Sequence, residues 1–290
     1  MNRDVVAHLR CPVCHETLTA LGDGPGRALR CPRGHNFDIA RQGYVDLSAG
    51  RSPHTGDTPE MVAARDAFLA KGHYAFVSAA LAEAAAGSNG LAVDVGAGTG
   101  QHLAAVLDGV EGLVGLALDA SKPALRRAAR AHDRAGAVRA DAWGRLPLAD
   151  HDTAVLLDVF APRNGPEFHR VLRPDGRLLV VTPEPDHLAE LVDALGLLRV
   201  DPDKEDRLAA SLDQQFVLEH RQSLRSQLRL DRDEVAAVVG MGPSAWHRAP
   251  AAIELPTPVA VTAAVRLDHY APRPDGVWLR QQPDGGGPET

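Results

Sequence analysis

Leu91-Ala-Val-Asp-Val-Gly-Ala-Gly-Thr-Gly100 reads as a short apolar strand that closes on three glycines set two apart. A helical pattern follows, with Leu103, Val106 and Leu107 on one face. Strand, glycine-rich turn and helix is the arrangement in which backbone amides come close to a ligand. The spacing around Gly96, Gly98 and Thr99 is GxGxG, whereas a dinucleotide fingerprint has GxGxxG, and the acidic Asp94 precedes it. That variant suits the methionine end of S-adenosylmethionine better than a pyrophosphate.

The segments downstream repeat the alternation. Residues 113–118 form a second apolar run ending at Asp119, where a carboxylate can accept from two ribose hydroxyls. Ser121 offers an N-cap for a helix carrying Leu125 and Ala128. A third strand near 137–140 ends at Asp141, where the adenine edge would be read. Residues 153–160 are apolar on both faces and so form a central strand. Residues 166–173 form a helix stopped by Pro174-Asp175-Gly176, and 177–182 the fifth strand. The expected class is α/β, a doubly wound parallel sheet with its ligand at the carboxyl ends of the strands. A nucleotide-binding sheet without transfer chemistry is the bland alternative.

Upstream, Cys11, Cys14 and Cys31 are the only cysteines in 290 residues. Cys11-Pro-Val-Cys14 and Cys31-Pro-Arg-Gly-His35 are two knuckles with metal-ligand spacing, and Gly22, Gly24, Pro25 and Gly26 suit a hairpin tip between them. A lone CxxC would read equally as a redox pair. Two knuckles holding every cysteine point to structural Zn2+ on Cys11, Cys14, Cys31 and His35, with His15 a competitor for the fourth position. Residues 48–60 read as a loop. From Met61 to Ala86 the pattern is helical, broken at Lys71-Gly72-His73-Tyr74. On the residues alone Tyr74 reads as a core aromatic.

The net charge of −7 argues against a chain coated in nucleic acid, although a local basic patch can still grip RNA. No apolar run approaches the roughly 18 residues of a membrane span, and the first residues lack a secretory h-region, so a cytoplasmic protein with no membrane association is expected.

Laid end to end, the segments resemble the bacterial 23S ribosomal RNA guanine-N1 methyltransferases, of the zinc-binding, tylosin-resistance type. The matching stretches include CPVC, CPRGHNFDIA, QGYVDL, Gly56-Asp57, Ala64-Arg65, FLAKGHY, VDVGAGTG, LALDASK, VFAPRNGPEF, RVLRPDGRLLVVTPEPDHLAEL and MGPSAWH. The resemblance covers about residues 10–250. It implies a class I, Rossmann-like S-adenosylmethionine-dependent methyltransferase sheet behind a small N-terminal zinc module. It implies methylation of a guanine in an RNA hairpin lining the peptide exit tunnel, with a link to macrolide resistance. It also implies that Tyr74, Gly98, Thr99 and His187 contact the cofactor, and that the partner is 23S rRNA or the large-subunit precursor. Family members are often homodimers. The expected organisation is a zinc module over 1–47, linker and helices over 48–85, the methyltransferase domain over 86–280 and a disordered tail over 281–290.

No residue is assigned as catalytic. By location Asp158 and His187 are the candidates to take the guanine N1 proton. Two basic clusters are candidates for phosphate contact: His220, Arg221, Arg225, Arg229 and Arg232, and Arg30, Arg33 and Arg41 beside the zinc knuckles. Two rival functions share these features. A small-molecule methyltransferase has no need of the zinc module, and a non-catalytic zinc RNA-binding protein has no need of an intact glycine loop with Asp119.

Overall fold

Strand β5 (Gly90–Val95) is the axis of the molecule, buried from Leu91 to Val95 between two strands that run parallel to it. The computed structural model describes residues 1–22, 27–48, 50, 56–197, 211–242, 255, 256 and 258–274. The tail over 281–290, Gly24 to Gly26, residues 51–55 of the loop and Pro243 to His247 of the MGPSAWH stretch lie outside them.

The chain opens with α1 (Arg3–His8), a small antiparallel sheet of β1 (Thr19–Leu21), β2 (Ala28–Arg30) and β3 (Asn36–Asp38), and then β4 (Tyr44–Asp46). Two helices, α2 (Pro59–Ala70) and α3 (Ala75–Ala84), lead to β5. The alternation continues through α4 (Gln101–Gly109), β6 (Leu113–Asp119), α5 (Lys122–Ala128), β7 (Ala135–Arg139), β8 (Thr153–Val159), α6 (Gly165–Val171), β9 (Leu172–Pro183) and α7 (Ala189–Leu195). It closes with β10 (Phe216–Leu230), α8 (Arg232–Gly240) and β11 (Val259–Pro272). The eight-stranded sheet has the order β10-β11-β9-β8-β5-β6-β7-β4.

From β4 to β9 every neighbouring pair is parallel, as the alternation requires. The edge departs from an all-parallel sheet: β11 is antiparallel to β9, and β10 is antiparallel to β11. Helix α6 stops at Val171, and the Pro174-Asp175-Gly176 stretch lies inside β9 instead of forming a turn before it. The break in the helical pattern at 71–74 is real, and Thr58 caps the preceding helix through its side chain with Pro59 at the first position.

Alternate residues of the sheet feed two cores. One face takes Ala92, Val155 and Leu179 with α3, α4 and α5, through Val77, Leu81, Leu103, Leu107 and Leu125. The other takes Leu91, Val93, Leu116 and Val180 with α6, and with Val5, Val6, Leu9 and Leu29 of the N-terminal module. That module therefore occupies the place of a helical layer on one face. Its strand β4 also continues the sheet beyond β7, where Arg139 Nη1 donates to Asp46 Oδ2 at 2.9 Å. His8 Nδ1 lies 2.7 Å from Asp152 Oδ2 and ties α1 to the start of β8. Among the described residues no helix is long and apolar enough to cross a membrane.

Candidate active site and zinc centre

The two knuckles converge. Cys11, Cys14, Cys31 and His35 offer ligand atoms that all lie within 4.8 Å of one another. Cys14 Sγ is 3.6 Å from Cys31 Sγ, and His35 Nδ1 is 3.5 Å from Cys11 Sγ and 3.3 Å from Cys31 Sγ. Zinc–sulfur bonds of about 2.3 Å and zinc–nitrogen bonds of about 2.0–2.1 Å set tetrahedral edges of roughly 3.8 and 3.6 Å. The four side chains thus fit one tetrahedral Zn2+. Burial works against ionisation of Cys31, but hydrogen bonds involving the His35 amide, the Cys14 thiol and the His35 ring prevail and bring its thiol down to about 6, toward the thiolate a metal needs. With four protein ligands the centre is closed and structural. His15 is not in the cluster.

The glycine loop links β5 to α4. Gly96, Gly98 and Gly100 have φ of +72°, +54° and +79°. At Gly96 space is decisive as well, because a Cβ would stand 2.7 Å from Ala161 Cβ in the loop after β8. Leu118 O accepts from the amides of Gly96 and Ala97 and so ties the turn to β6. Asp119, at the end of β6, accepts from Gly98 N at 2.8 Å on one oxygen and from Ser121 N at 2.7 Å on the other. Each oxygen keeps a lone pair for a hydroxyl. Beneath it Asp94 is only 2 % exposed, and burial together with the Asp119 charge pushes its carboxyl up to about 8. The buried Thr99 Oγ1 has no hydrogen-bond partner among the described residues. A loop that a Cβ would fill, a strand-end carboxylate and an unsatisfied hydroxyl together fit S-adenosylmethionine.

A second group stands beside Phe160, the neighbour of the Ala161 that meets Gly96. Tyr74 Oη is 3.1 Å from His187 Nε2, and the amide of Ala264 in β11 donates to His187 Nδ1 at 3.2 Å. An Nδ1 that accepts carries no proton, so the ring proton sits on Nε2 and is donated to Tyr74. Burial lowers His187 further into the neutral range and raises the Tyr74 hydroxyl. Asp141 lies just past β7, with one oxygen accepting from Trp143 N at 3.0 Å. Asp158 is wholly buried, 3.6 Å from Arg163 Nε, in the manner of a structural ion pair.

Three features near the loop had no assigned role in the sequence reading. Segment 56–58 presses on the end of β6: a Cβ at Gly56 would meet Ser121 N at 2.5 Å, and Ser121 Oγ donates to Asp57 O at 2.7 Å. Arg65 pairs with Asp57, donates to Met241 O at 3.1 Å and stands over Gly98. Phe160 follows β8 in a left-handed conformation. All three were visible as family matches, in Gly56-Asp57, Ala64-Arg65 and the VFAPRNGPEF stretch. Of the basic residues, Arg221 is held by Asp268 through two bonds of 2.8 and 2.9 Å, and Arg225 by Glu184 and Asp186. Arg33 faces Glu16 at 3.5 Å, while Arg30, Arg41 and Arg229 are exposed.

Sheet, cradle and cysteine cluster define a class I S-adenosylmethionine-dependent methyltransferase built together with a zinc ribbon. Residues 9–48 match the zinc-ribbon family model described as RlmA, N-terminal. A Micromonospora griseorubida protein assigned as a 23S rRNA (guanine-N(1)-)-methyltransferase is 60% identical, covering 94% of this chain and 100% of its own. The 23S rRNA (guanine(748)-N(1))-methyltransferase of Streptomyces fradiae is 51% identical over the same shares, and a Bacillus subtilis protein assigned as a 23S rRNA (guanine-N(1)-)-methyltransferase is 30% identical over 82% and 86%. The chain belongs to the 23S rRNA (guanine-N1)-methyltransferase family.

Proposed function

We propose that the protein transfers the methyl group of S-adenosylmethionine to N1 of a 23S rRNA guanine in the exit-tunnel hairpin, the same guanine as its Streptomyces fradiae relative. The observation that carries this reading is a cofactor cradle and a closed zinc centre built on one sheet, in a chain 51% identical to that relative over 94% of its length.

When bound, S-adenosylmethionine supplies an electrophilic methyl carbon on a sulfonium. The protein's task is position. Asp119 is assigned the ribose hydroxyls, Asp141 the adenine edge, and Gly96, Gly98 and Thr99 the methionine end. Asp94, uncharged at neutral pH, supports the loop from below. Tyr74, with its hydroxyl oriented by neutral His187, is assigned a contact to the cofactor. This assigns His187 to orientation and leaves the N1 proton to another acceptor, since both its ring nitrogens are already engaged. The zinc ribbon, with Arg30 and Arg41 exposed on it, contacts the RNA hairpin.

The same reading places the enzyme in the cytoplasm, acting on the large-subunit precursor as a homodimer and lowering macrolide sensitivity. Its test is transfer of labelled methyl to a transcript of the hairpin region, with the modified base mapped by primer extension. A stop at a single guanine supports the reading. Tight cofactor binding with no label in any RNA overturns it and favours a small-molecule acceptor.

A further inference from the structure

Phe160 is 43 % exposed although its ring lies 6.1 Å from each of the Tyr74 and His187 rings. Its φ of +54° lies in a region a bulky aromatic adopts only at a cost. The turn is held on both sides: the Phe160 amide donates to Val181 O at 3.1 Å, and Ala161 packs against the Gly96 position. The backbone is thus strained to keep an apolar ring in water, which burial alone does not explain. Tyr74, by contrast, is 5 % exposed and packs edge-on against Phe68.

The sheet order gives the ring its location. Asp119 on β6 and Asp141 after β7 lie to one side of β5, and β8, which Phe160 follows, lies to the other. A cofactor with its nucleoside on the β6–β7 side turns its reacting end toward Phe160. Guanine N1 is on the Watson–Crick edge, so the base must leave its stack before it can be methylated. A purine taken out of its stack is stabilised by a π face at its destination. We propose that Phe160 is the platform on which the extruded guanine stacks, a positioning residue for the nucleophile. The proposal rests on the function proposed above.

The test is a cycle on full-length, zinc-loaded enzyme: wild type and Phe160→Ala, each titrated with the hairpin transcript carrying either the target guanine or an abasic nucleotide there. The expected result is that Phe160→Ala weakens binding of the guanine transcript between about fivefold and about a hundredfold. It should leave the abasic transcript and S-adenosylmethionine affinity unchanged, and Phe160→Trp should restore guanine binding. Equal weakening of both transcripts, no weakening of either, or a matching loss of cofactor affinity overturns the proposal. Methylation of the guanine transcript by wild type is measured alongside. If it occurs, such a failure falls on Phe160 alone; if it does not, the function falls as well.

Discussion

His187 gains its character from a single backbone amide. With Ala264 N donating into Nδ1, the proton is confined to Nε2, and Tyr74 becomes its acceptor. Tyr74→Phe leaves that N–H without its acceptor, and a loss of about 1–3 kcal/mol is expected in denaturant unfolding. Asp94 gives a prediction in pH. Its folded pKa of about 8 lies above the ordinary 3.8, so across that interval the folded state holds a proton that the unfolded chain has lost. Stability therefore falls as pH rises from about 4 to about 8, and Asp94→Asn should flatten that slope in a series of melts. An unchanged slope would place the proton elsewhere. At Phe160 glycine tolerates the left-handed backbone and alanine does not, so Phe160→Gly should be more stable than Phe160→Ala by about 1–2 kcal/mol. Chemical denaturation of the pair decides it.

The elements were legible to different degrees, and each for a physical reason. Leu91–Gly100 announced a strand and its turn because buried parallel strands are uniformly apolar and left-handed turns demand glycine. Cys11, Cys14, Cys31 and His35 were legible because ligand chemistry restricts spacing. Strand β10 was less so: Arg221, Ser223, Arg225, Gln227 and Arg229 alternate with Leu224, Leu228 and Leu230, yet the arginines drew attention as a basic run and hid the period of two. Nothing local shows that Asp268, Glu184 and Asp186 would meet two of those arginines, since the partners lie about 40 residues away. The zinc module shares a core with α6 and a strand pairing with β7. Its metal should accordingly support the whole molecule: chelation is expected to lower the midpoint of one cooperative melt in calorimetry, where an independent module would show a second transition.

Across the whole molecule the net charge is −7, and carboxylates already hold Arg221 and Arg225 of β10. RNA affinity should fall only shallowly with salt. Arg30→Ala and Arg41→Ala should each reduce the slope of log K against log salt by about 1, and Arg225→Ala should not. Filter binding over a salt series measures all three. Strand β4 carries a consequence for the order of events at the ribosome. Asp46 emerges 93 residues before its partner Arg139. At about 5–20 residues per second the N-terminal ribbon waits roughly 5–20 s for its seat to be synthesised. It can capture its metal in that time while its apolar flank is still uncovered. The N-terminal ribbon docks only after nearly half of the 290 residues have been made.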